Sequence, residues 1–285
     1  MAKNPKHRPR QRKANLQQGR PHQNHRKNDH GAATRKNADG KKGIGGDVVE
    51  GRHAVRELLL AEKRKVYEVV FAAGLEDSPV LTQIRDLAEE SRVPLYEMNR
   101  SKFESLAVTE SPQGVISRAE PLPNLELEDL LLTDKKPFIL VMDGITDPRN
   151  LGAMLRTAEC AGVTGILLPR HRSTRISPAV TKTAQGAIEH LPIASVSGIP
   201  KGLTLLKNHG VWTVGLDAVA ETEIYGLEVA DEPIALVLGS EGRGLGRLSR
   251  ERCDLVVTIP LFGVIDSLNV SAATAIACFE IAKQR

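Results

Sequence analysis

Apolar and polar residues are arranged in two different patterns along this chain. Apolar residues spaced three or four apart, as at Val55 and Leu58, predict helices, and short apolar runs such as "VYEVVFA" predict strands. Ser78 followed by Pro79 is typical of a helix start, with the serine as N-cap and the proline at the first position. Three helices and three strands alternate in this way, so residues 47–120 are predicted to form a small α/β domain.

A second alternation of predicted strands and helices begins after Pro137. Strands such as "FILVM" and "PIALVLG" are apolar at nearly every position and alternate with helices, among them "SPAVTKTAQGAIEH" and the terminal "NVSAATAIACFEIA". That pattern predicts a parallel sheet covered on both faces, formed by residues 137–285. The prolines and charges of "EPLPNLELEDLLLTDKKP" predict a linker with one helical turn over residues 121–136.

The first 46 residues differ in character from the rest. They hold 13 lysines and arginines, two acidic residues and no aromatic residue, a net charge of +11, whereas the remainder carries −7. Such a segment cannot bury enough apolar surface to offset its ordering entropy, so residues 1–46 are predicted to be a disordered basic tail. A basic arm favours a polyanionic partner, nucleic acid above all, and a purely solubilising tail is the alternative.

Composition narrows the remaining possibilities. Three widely separated cysteines, Cys160, Cys253 and Cys278, have neither metal-ligand nor disulfide spacing, so each is predicted to be a small buried apolar residue and no metal is expected. No apolar run approaches the length of a membrane span, and the first residues lack the apolar core of a secretory signal. A cytoplasmic location with no membrane contact is expected.

Three polar segments follow predicted strands, where parallel sheets bind their ligands. The first, "DGITDPRNLGAMLRTAECAG", starts a helix at Asp147 and places Asn150 and Arg156 on otherwise apolar turns. Taken alone, the asparagine could be a helix cap and the arginine a surface charge. The second, "LVLGSEGRGLG", has a glycine-rich loop beside the carboxylate of Glu241, for which Arg156 is the predicted partner.

The third segment, "IPLFGVIDSLNVSAATAIACFE", crowds four small polar residues at the start of a nearly all-apolar helix. Ser267 or Asn269 can cap that helix, which accounts for one or two of the four. The surplus predicts that this helix start also holds a ligand or orients a neighbouring loop. Because the helix is apolar on almost every face, a second subunit is expected to cover one side of it, which predicts a homodimer.

In this order, "DPRNLGAMLRTA", "LVLGSEGRGL" and "IPLFGVIDSLNVSAATAI" resemble the three motifs of the SpoU (TrmH) family of RNA 2′-O-ribose methyltransferases, within the SPOUT class. "VVEGRHAVRELL" resembles the start of the family's ribosomal-protein L30e-like substrate-binding domain. The resemblance implies an α/β SPOUT domain with a deep trefoil knot that binds S-adenosylmethionine. By motif, the implied cofactor-binding residues are Gly239, Ile259 and Leu268. The implied catalytic residues are Asn150, Arg156, Glu241, Ser267 and Asn269.

Among members of this family, the layout is most similar to the bacterial enzymes that methylate a guanosine of 23S ribosomal RNA. Three alternatives remain open: a transfer RNA substrate, an adenosine of 23S ribosomal RNA as in antibiotic-resistance methylases, and a non-catalytic protein of RNA binding or ribosome assembly. Presence of Asn150, Arg156, Glu241 and Asn269 argues against the last of these.

Deleting residues 1–46 is predicted to weaken RNA binding most at low salt. Each phosphate that the tail neutralises should add about 0.7–0.9 to the slope of log affinity against log salt concentration. Without aromatic residues the tail cannot stack on bases, so the methylated position should stay the same. Affinity measured across a salt series, with mapping of the modified nucleotide, checks this. An unchanged slope would mean that the tail does not touch phosphate.

Overall fold

The computed structural model describes residues 43–171 and 175–285. Of the predicted basic tail, residues 1–42 lie outside the described residues. The described strands form two sheets, one of four strands and one of seven, within a single compact unit.

The four-stranded sheet is built from the segment predicted to form the small α/β domain. Its strands are β1 (Val48–Glu50), β2 (Val66–Ala72), β3 (Leu95–Met98) and β4 (Val115–Ala119), and its helices are α1 (Arg52–Ala61), α2 (Pro79–Glu90) and α3 (Arg100–Leu106). The strand order is β1-β4-β2-β3, and only β2 and β3 run parallel. Apolar residues of α1 and α2 pack on one face, and Phe103 of α3 packs on the other. The three predicted helices and three predicted strands are confirmed, with the short β1 in addition.

The seven-stranded sheet has strands β5 (Phe138–Met142), β6 (Gly165–Pro169), β7 (Ile193–Val196), β8 (Trp212–Leu216), β9 (Thr222–Glu223), β10 (Ile234–Leu238) and β11 (Leu255–Thr258). Its helices are α4 (Pro148–Cys160), α5 (Pro178–Thr183), α6 (Ile199–Asn208), α7 (Arg247–Arg252) and α8 (Val270–Ala282). The order is β7-β6-β5-β10-β8-β11-β9, and every pairing is parallel. Helices α4, α5 and α8 pack on one face, and α6 packs on the other, with α7 against it. The predicted parallel sheet covered on both faces is therefore confirmed.

The prediction of one continuous helix over "SPAVTKTAQGAIEH" is wrong. Helix α5 ends at Thr183, and a separate 3₁₀ helix spans Ala187–Glu189. Between them Gln185 and Gly186 have φ angles of 50° and 89°. A Cβ on Gly186 would lie 2.3 Å from the Cβ of Glu57, so the chain turns here to fit against α1.

The predicted linker does form a helical turn, a 3₁₀ helix over Leu127–Leu131. Leu127 and Leu130 of that turn are buried in the core on the α6 face of the seven-stranded sheet. Leu125 also forms an isolated parallel bridge with Ala194 of the edge strand β7. This segment thus covers part of a sheet edge as well as connecting the two sheets.

The cysteines divide into two kinds. Burial raises the pKa of both the Cys278 and the Cys253 thiols to about 12, the latter with a smaller contribution from neighbouring Asp254. Cys160, at the end of α4, is exposed, so the prediction that it is buried is wrong. In residues 43–171 and 175–285, no cluster of histidine, cysteine or acidic side chains is placed to hold a metal ion. No helix in those ranges has the length and apolarity needed to cross a membrane.

Helix α8 is fixed at its far end by Arg285. The guanidinium donates hydrogen bonds to the backbone oxygens of Lys136 (2.7 Å), Ala230 (2.8 Å) and Glu232 (2.8 Å). It also lies 5.5 Å from the ring centroid of Phe138, at the start of β5. One side chain therefore ties the end of α8 to the segments that lead into β5 and β10.

Replacing Arg285 with alanine is expected to destabilise the fold. Hydrogen bonds from a charged donor contribute about 1.5–3 kcal/mol, and here three backbone carbonyls would lose their partner together. We expect the free energy of unfolding to fall by about 1–3 kcal/mol in a urea titration, because water can replace some of these contacts. Lys283→Ala, at an exposed position of the same helix end, is the control and should change little. Equal stability of the two variants would contradict this role.

Candidate active site

Three loops meet at the carboxyl edge of the seven-stranded sheet. Strands β5 and β10 are parallel neighbours, with Met142 opposite Leu238, so the loops that follow them leave the sheet side by side. The first leads into α4 and the second is the glycine-rich loop before α7. The third loop follows β11 and leads into α8. These are the three polar segments that the sequence singled out.

Asn150 lies in the first turn of α4. Asp147 is the N-cap of this helix, because its carboxylate accepts a hydrogen bond from the Arg149 backbone N–H at 2.9 Å. The Asn150 side chain is buried, and its Nδ2 donates to Glu241 Oε1 and, at 3.4 Å, to Asp147 Oδ2. The predicted helix start is confirmed, and Asn150 faces the second loop.

Glu241 projects from a tightly closed loop. The Gly244 N–H donates to the Ser240 carbonyl at 3.0 Å, and Gly242 and Gly244 have φ angles of 73° and 63°. A Cβ on Gly239 would come within 2.0 Å of the Gly244 oxygen, so only glycine fits there. The glycines of this loop thus allow its own backbone to approach closely.

Asn269 joins the third loop to the other two. It is the N-cap of α8, where its Oδ1 accepts from the Ser271 N–H at 2.9 Å and from the Ser271 hydroxyl at 2.6 Å. Its Nδ2 donates to Asn150 Oδ1 at 3.1 Å and to Glu241 Oε1 at 3.2 Å. Asn150, Glu241 and Asn269 therefore form one hydrogen-bonded cluster, called the polar triad below, with one member from each loop.

The predicted pairing of Glu241 with Arg156 is wrong. Glu241 accepts hydrogen bonds from the two asparagines instead, and Arg156 is exposed to solvent. Arg156 lies six residues beyond Asn150 on α4, about 1.7 helical turns, so the two side chains leave the helix on different sides. The sequence pattern correctly associated the loops but not these two side chains.

The remaining predicted site residues belong to the third loop. Ile259 is partly buried after β11, while Ser267 and Leu268 belong to an exposed segment, residues 261–268. In that segment Phe262 and Ile265 are 95% and 77% exposed. The hydrogen bonds of the triad, as far as the described residues show, include neither Ser267 nor Leu268.

Two carboxylates that support the site, those of Asp143 and Asp217, were not identified from the sequence. Asp143, at the end of β5, accepts a hydrogen bond from the Ser249 hydroxyl at 2.5 Å and so ties the start of α7 to the first loop. Arg250 forms an ion pair with Asp217 at 2.9 Å, beyond the end of β8. An acidic residue directly after a buried strand was the available signal for both carboxylates.

Comparison with known proteins agrees with this architecture. Residues 137–279 match the model of the SpoU rRNA Methylase family, and residues 48–125 match that of the RNA 2′-O ribose methyltransferase substrate-binding region. The first match spans half of the chain. The protein therefore belongs to the SpoU rRNA methylase family.

Relatives named for particular substrates are also similar to this chain. A 23S rRNA (guanosine-2′-O-)-methyltransferase, RlmB, from Pseudomonas putida is 39% identical over 243 residues, covering 84% of this chain and 97% of the relative. The putative TrmH family tRNA/rRNA methyltransferase YacO of Bacillus subtilis is 35% identical and covers 84% of this chain and 96% of the relative.

Solved structures share the fold. The SpoU methyltransferase AviRb from Streptomyces viridochromogenes, in complex with the cofactor AdoMet, superposes with a TM-score of 0.71 at 22% identity, over 83% of this chain and 89% of that one. A putative TrmH-family RNA methyltransferase from Porphyromonas gingivalis superposes with a TM-score of 0.68 at 26% identity, over 84% and 90% of the two chains.

The polar triad is expected to contribute to stability. Asn269→Asp keeps the oxygen that caps α8 but replaces two N–H donations by repulsion between its carboxylate and Glu241. We expect the free energy of unfolding at pH 7 to fall by about 1–3 kcal/mol. Ser271→Ala, which removes only the hydroxyl hydrogen bond to Asn269, should cost about 0.5–1 kcal/mol in the same denaturant titration. An Asn269→Asp protein as stable as the wild type would contradict this account.

Proposed function

We propose that this protein transfers the methyl group of S-adenosylmethionine to the ribose 2′-oxygen of a guanosine in 23S ribosomal RNA. One observation carries the proposal. The polar triad draws together all three family motifs in a chain that spans nearly the full length of relatives named as 23S rRNA guanosine 2′-O-methyltransferases. A cytoplasmic location is proposed with it, since the substrate would be ribosomal RNA.

The residues present fit the proposed cofactor. Gly239, Ile259 and Leu268, from the ends of β10 and β11 and the start of α8, are proposed to hold it. The exposed apolar side chains of residues 261–268 provide surface for a purine ring. When bound, S-adenosylmethionine supplies a methyl group already activated by its sulfonium.

The chain's own task is then to orient the ribose and to help its hydroxyl lose a proton. Arg156 is proposed to direct its guanidinium fork onto the neighbouring phosphate and to stabilise charge developing on the 2′-oxygen. A guanidinium offers hydrogen-bond donors and no acceptor, so Arg156 is not proposed as the proton acceptor. Because Arg156 is exposed, it is free to meet RNA.

Glu241 is proposed to act on the two asparagines rather than on Arg156. By accepting from Asn150 and Asn269, it holds the starts of α4 and α8 at a fixed separation. Asn269 and Ser267 are proposed to present their polar groups to the RNA or to Arg156. On this proposal, the triad is a rigid support beside the reacting groups.

The finer architecture is also proposed. Residues 137–285 would form a SPOUT domain with a deep trefoil knot, joined by residues 121–136 to an L30e-like substrate-binding domain of residues 47–120. Support for the knot comes from the chain path: β11 lies beyond β8, yet α8 returns to pack near α4 and ends beside the start of β5. Helices on both faces of the mixed four-stranded sheet support the second assignment.

A homodimer is proposed from uncovered apolar surface. One side of α8 buries Thr274, Ala277, Cys278 and Ile281, while Phe279 on another side is 51% exposed. Together with the exposed apolar residues of 261–268, this surface is suited to a second copy of the chain. Sedimentation as a monomer at micromolar concentration would refute this.

Radiolabelled S-adenosylmethionine tests the proposed activity directly. Purified protein would be incubated with unmethylated 23S ribosomal RNA or with transfer RNA, and the labelled nucleotide would be mapped. We expect label on the 2′-oxygen of one guanosine of 23S RNA. Label on an adenosine or on transfer RNA would replace the proposed substrate, and no transfer to any RNA would favour a non-catalytic role.

Arg156→Lys is expected to reduce turnover by about 10²- to 10³-fold, since lysine keeps the charge but loses the planar fork. Cofactor affinity, measured by calorimetry, should barely change. Arg100→Lys is the matched control, because Arg100 is an exposed arginine of α3 that pairs with Glu104 at 2.9 Å. Near-normal turnover of Arg156→Lys would refute the role assigned to this side chain.

A further inference from the structure

A buried ion pair joins the two sheets. Arg64, just before β2, and Glu189, in the 3₁₀ helix after α5, have side chains only 3% and 1% exposed. Their contact is bidentate, with Nε to Oε2 at 2.9 Å and Nη2 to Oε1 at 2.6 Å. The pair therefore crosses from the four-stranded to the seven-stranded sheet in a fixed geometry.

The guanidinium of Arg64 also holds the ends of two neighbouring strands of its own sheet, β1 and β4. Its Nη1 donates to the backbone oxygens of Gly46, before β1, and Glu120, after β4, both at 2.5 Å. Burying two charges is costly, and apolar side chains of similar volume are often at least as stabilising. A fully satisfied buried pair therefore points to a requirement for defined orientation more than for stability.

Other contacts between the two sheet units involve residues 177–190, called the bridging segment below. Gly186 of this segment packs against Glu57 of α1, and Glu57 in turn contacts His190 at 3.0 Å. Lys182 donates to the Thr109 hydroxyl at 3.1 Å, and Thr109 is held by the buried carboxylate of Glu50. The bridging segment thus contacts the four-stranded sheet unit at several separate points.

On its other side, the bridging segment packs directly on the helix that carries Asn150 and Arg156. A Cβ on Gly152 would lie 2.6 Å from the Thr183 Cβ and 2.9 Å from the Val180 oxygen. Gly152 falls between Asn150 and Arg156 in α4, so this close contact lies between the two proposed site residues. Packed interiors transmit such constraints because they deform little.

We propose that Arg64 and Glu189 are positioning residues, which through the bridging segment fix the RNA-selecting half of the protein relative to α4 and so determine which nucleotide is methylated. The inference rests on the proposed function, because it assigns target selection to the four-stranded sheet unit. In this role the pair touches neither cofactor nor reacting ribose. Loss of the ion pair should change how RNA is bound and methylated and should leave binding of the cofactor unchanged.

Two variants separate orientation from folding. Glu189→Gln keeps the shape but removes the charge that faces Arg64, and Arg64→Met with Glu189→Leu replaces the pair by apolar packing. For both we expect kcat/KM for RNA to fall at least tenfold with KM for S-adenosylmethionine unchanged, and methyl groups to appear on neighbouring riboses. Asp231→Asn, which removes the charge of the exposed Lys136–Asp231 pair outside the four-stranded sheet unit, is the control and should behave as wild type.

A distance measurement keeps this test independent of activity. Cys160 is exposed, whereas Cys253 and Cys278 have pKa values raised to about 12, so a spin label should react at Cys160. A second label at Glu89→Cys on α2 reports the separation of the two halves. We expect a narrow distance distribution with the pair intact and a broad or shifted one in the double variant.

The outcomes distinguish this inference from the proposed function. A wild-type protein that methylates no RNA refutes the function, while the label distances still test the positioning role. A double variant with a narrow, unshifted distribution, a single methylated site and wild-type kcat/KM for RNA would overturn the inference. Should the double variant fail to fold, the same measurements on Glu189→Gln decide in the same way.

Discussion

Strand β10 pairs in parallel with β5, although about 90 residues separate them in the chain. This pairing brings the loop with Glu241 beside the start of α4, and the site depends on it. The return of α8 then adds Asn269, whose amide is shared between helix cap and triad. Each asparagine side chain donates hydrogen bonds through its NH₂ group and accepts them through its oxygen. Glu241 therefore has two amide donors, and both amide groups have partners for donor and acceptor. Loops with no sequence continuity are thereby held as one unit.

Much of this could be predicted from local patterns. Apolar strands alternating with helices predicted both sheets, and Asp147-Pro148 predicted the start of α4, because these signals depend on residues adjacent in the chain. The two-residue strand β9 was missed since a segment that short has no period to detect. The break at Gly186 was missed because its cause, the approach of Glu57, lies about 130 residues away. Tertiary contact overrode helix propensity there.

The site shows the same division between local and distant information. The three motifs could be grouped because each follows a predicted strand. Glu241, a carboxylate beside a glycine-rich loop, was predicted to need a partner. Opposite charge then favoured Arg156, but a helix presents residues six apart on different sides, and Asn150 faces the loop instead. Amide groups can hold a carboxylate without neutralising it, so Arg156 remains available for an external anion. Under the proposed function, an exposed Arg156 suits an RNA phosphate better than an Arg156 paired with Glu241 would.

Helix α4 contacts both the polar triad and the bridging segment. The candidate site and the contacts between the two sheets can therefore be coupled. The first turn of α4 is fixed by the polar triad, while its middle packs at Gly152 against the bridging segment. A shift of the bridging segment would act on α4 between Asn150, which Glu241 and Asn269 hold, and Arg156, which is exposed. Under the proposed function, the triad holds the cofactor side of the site, while the bridging segment sets how the four-stranded sheet unit lies relative to the same helix. Because both constraints act on one helix, loss of the ion pair between the sheets would alter the placement of RNA while the hydrogen bonds of the triad remain.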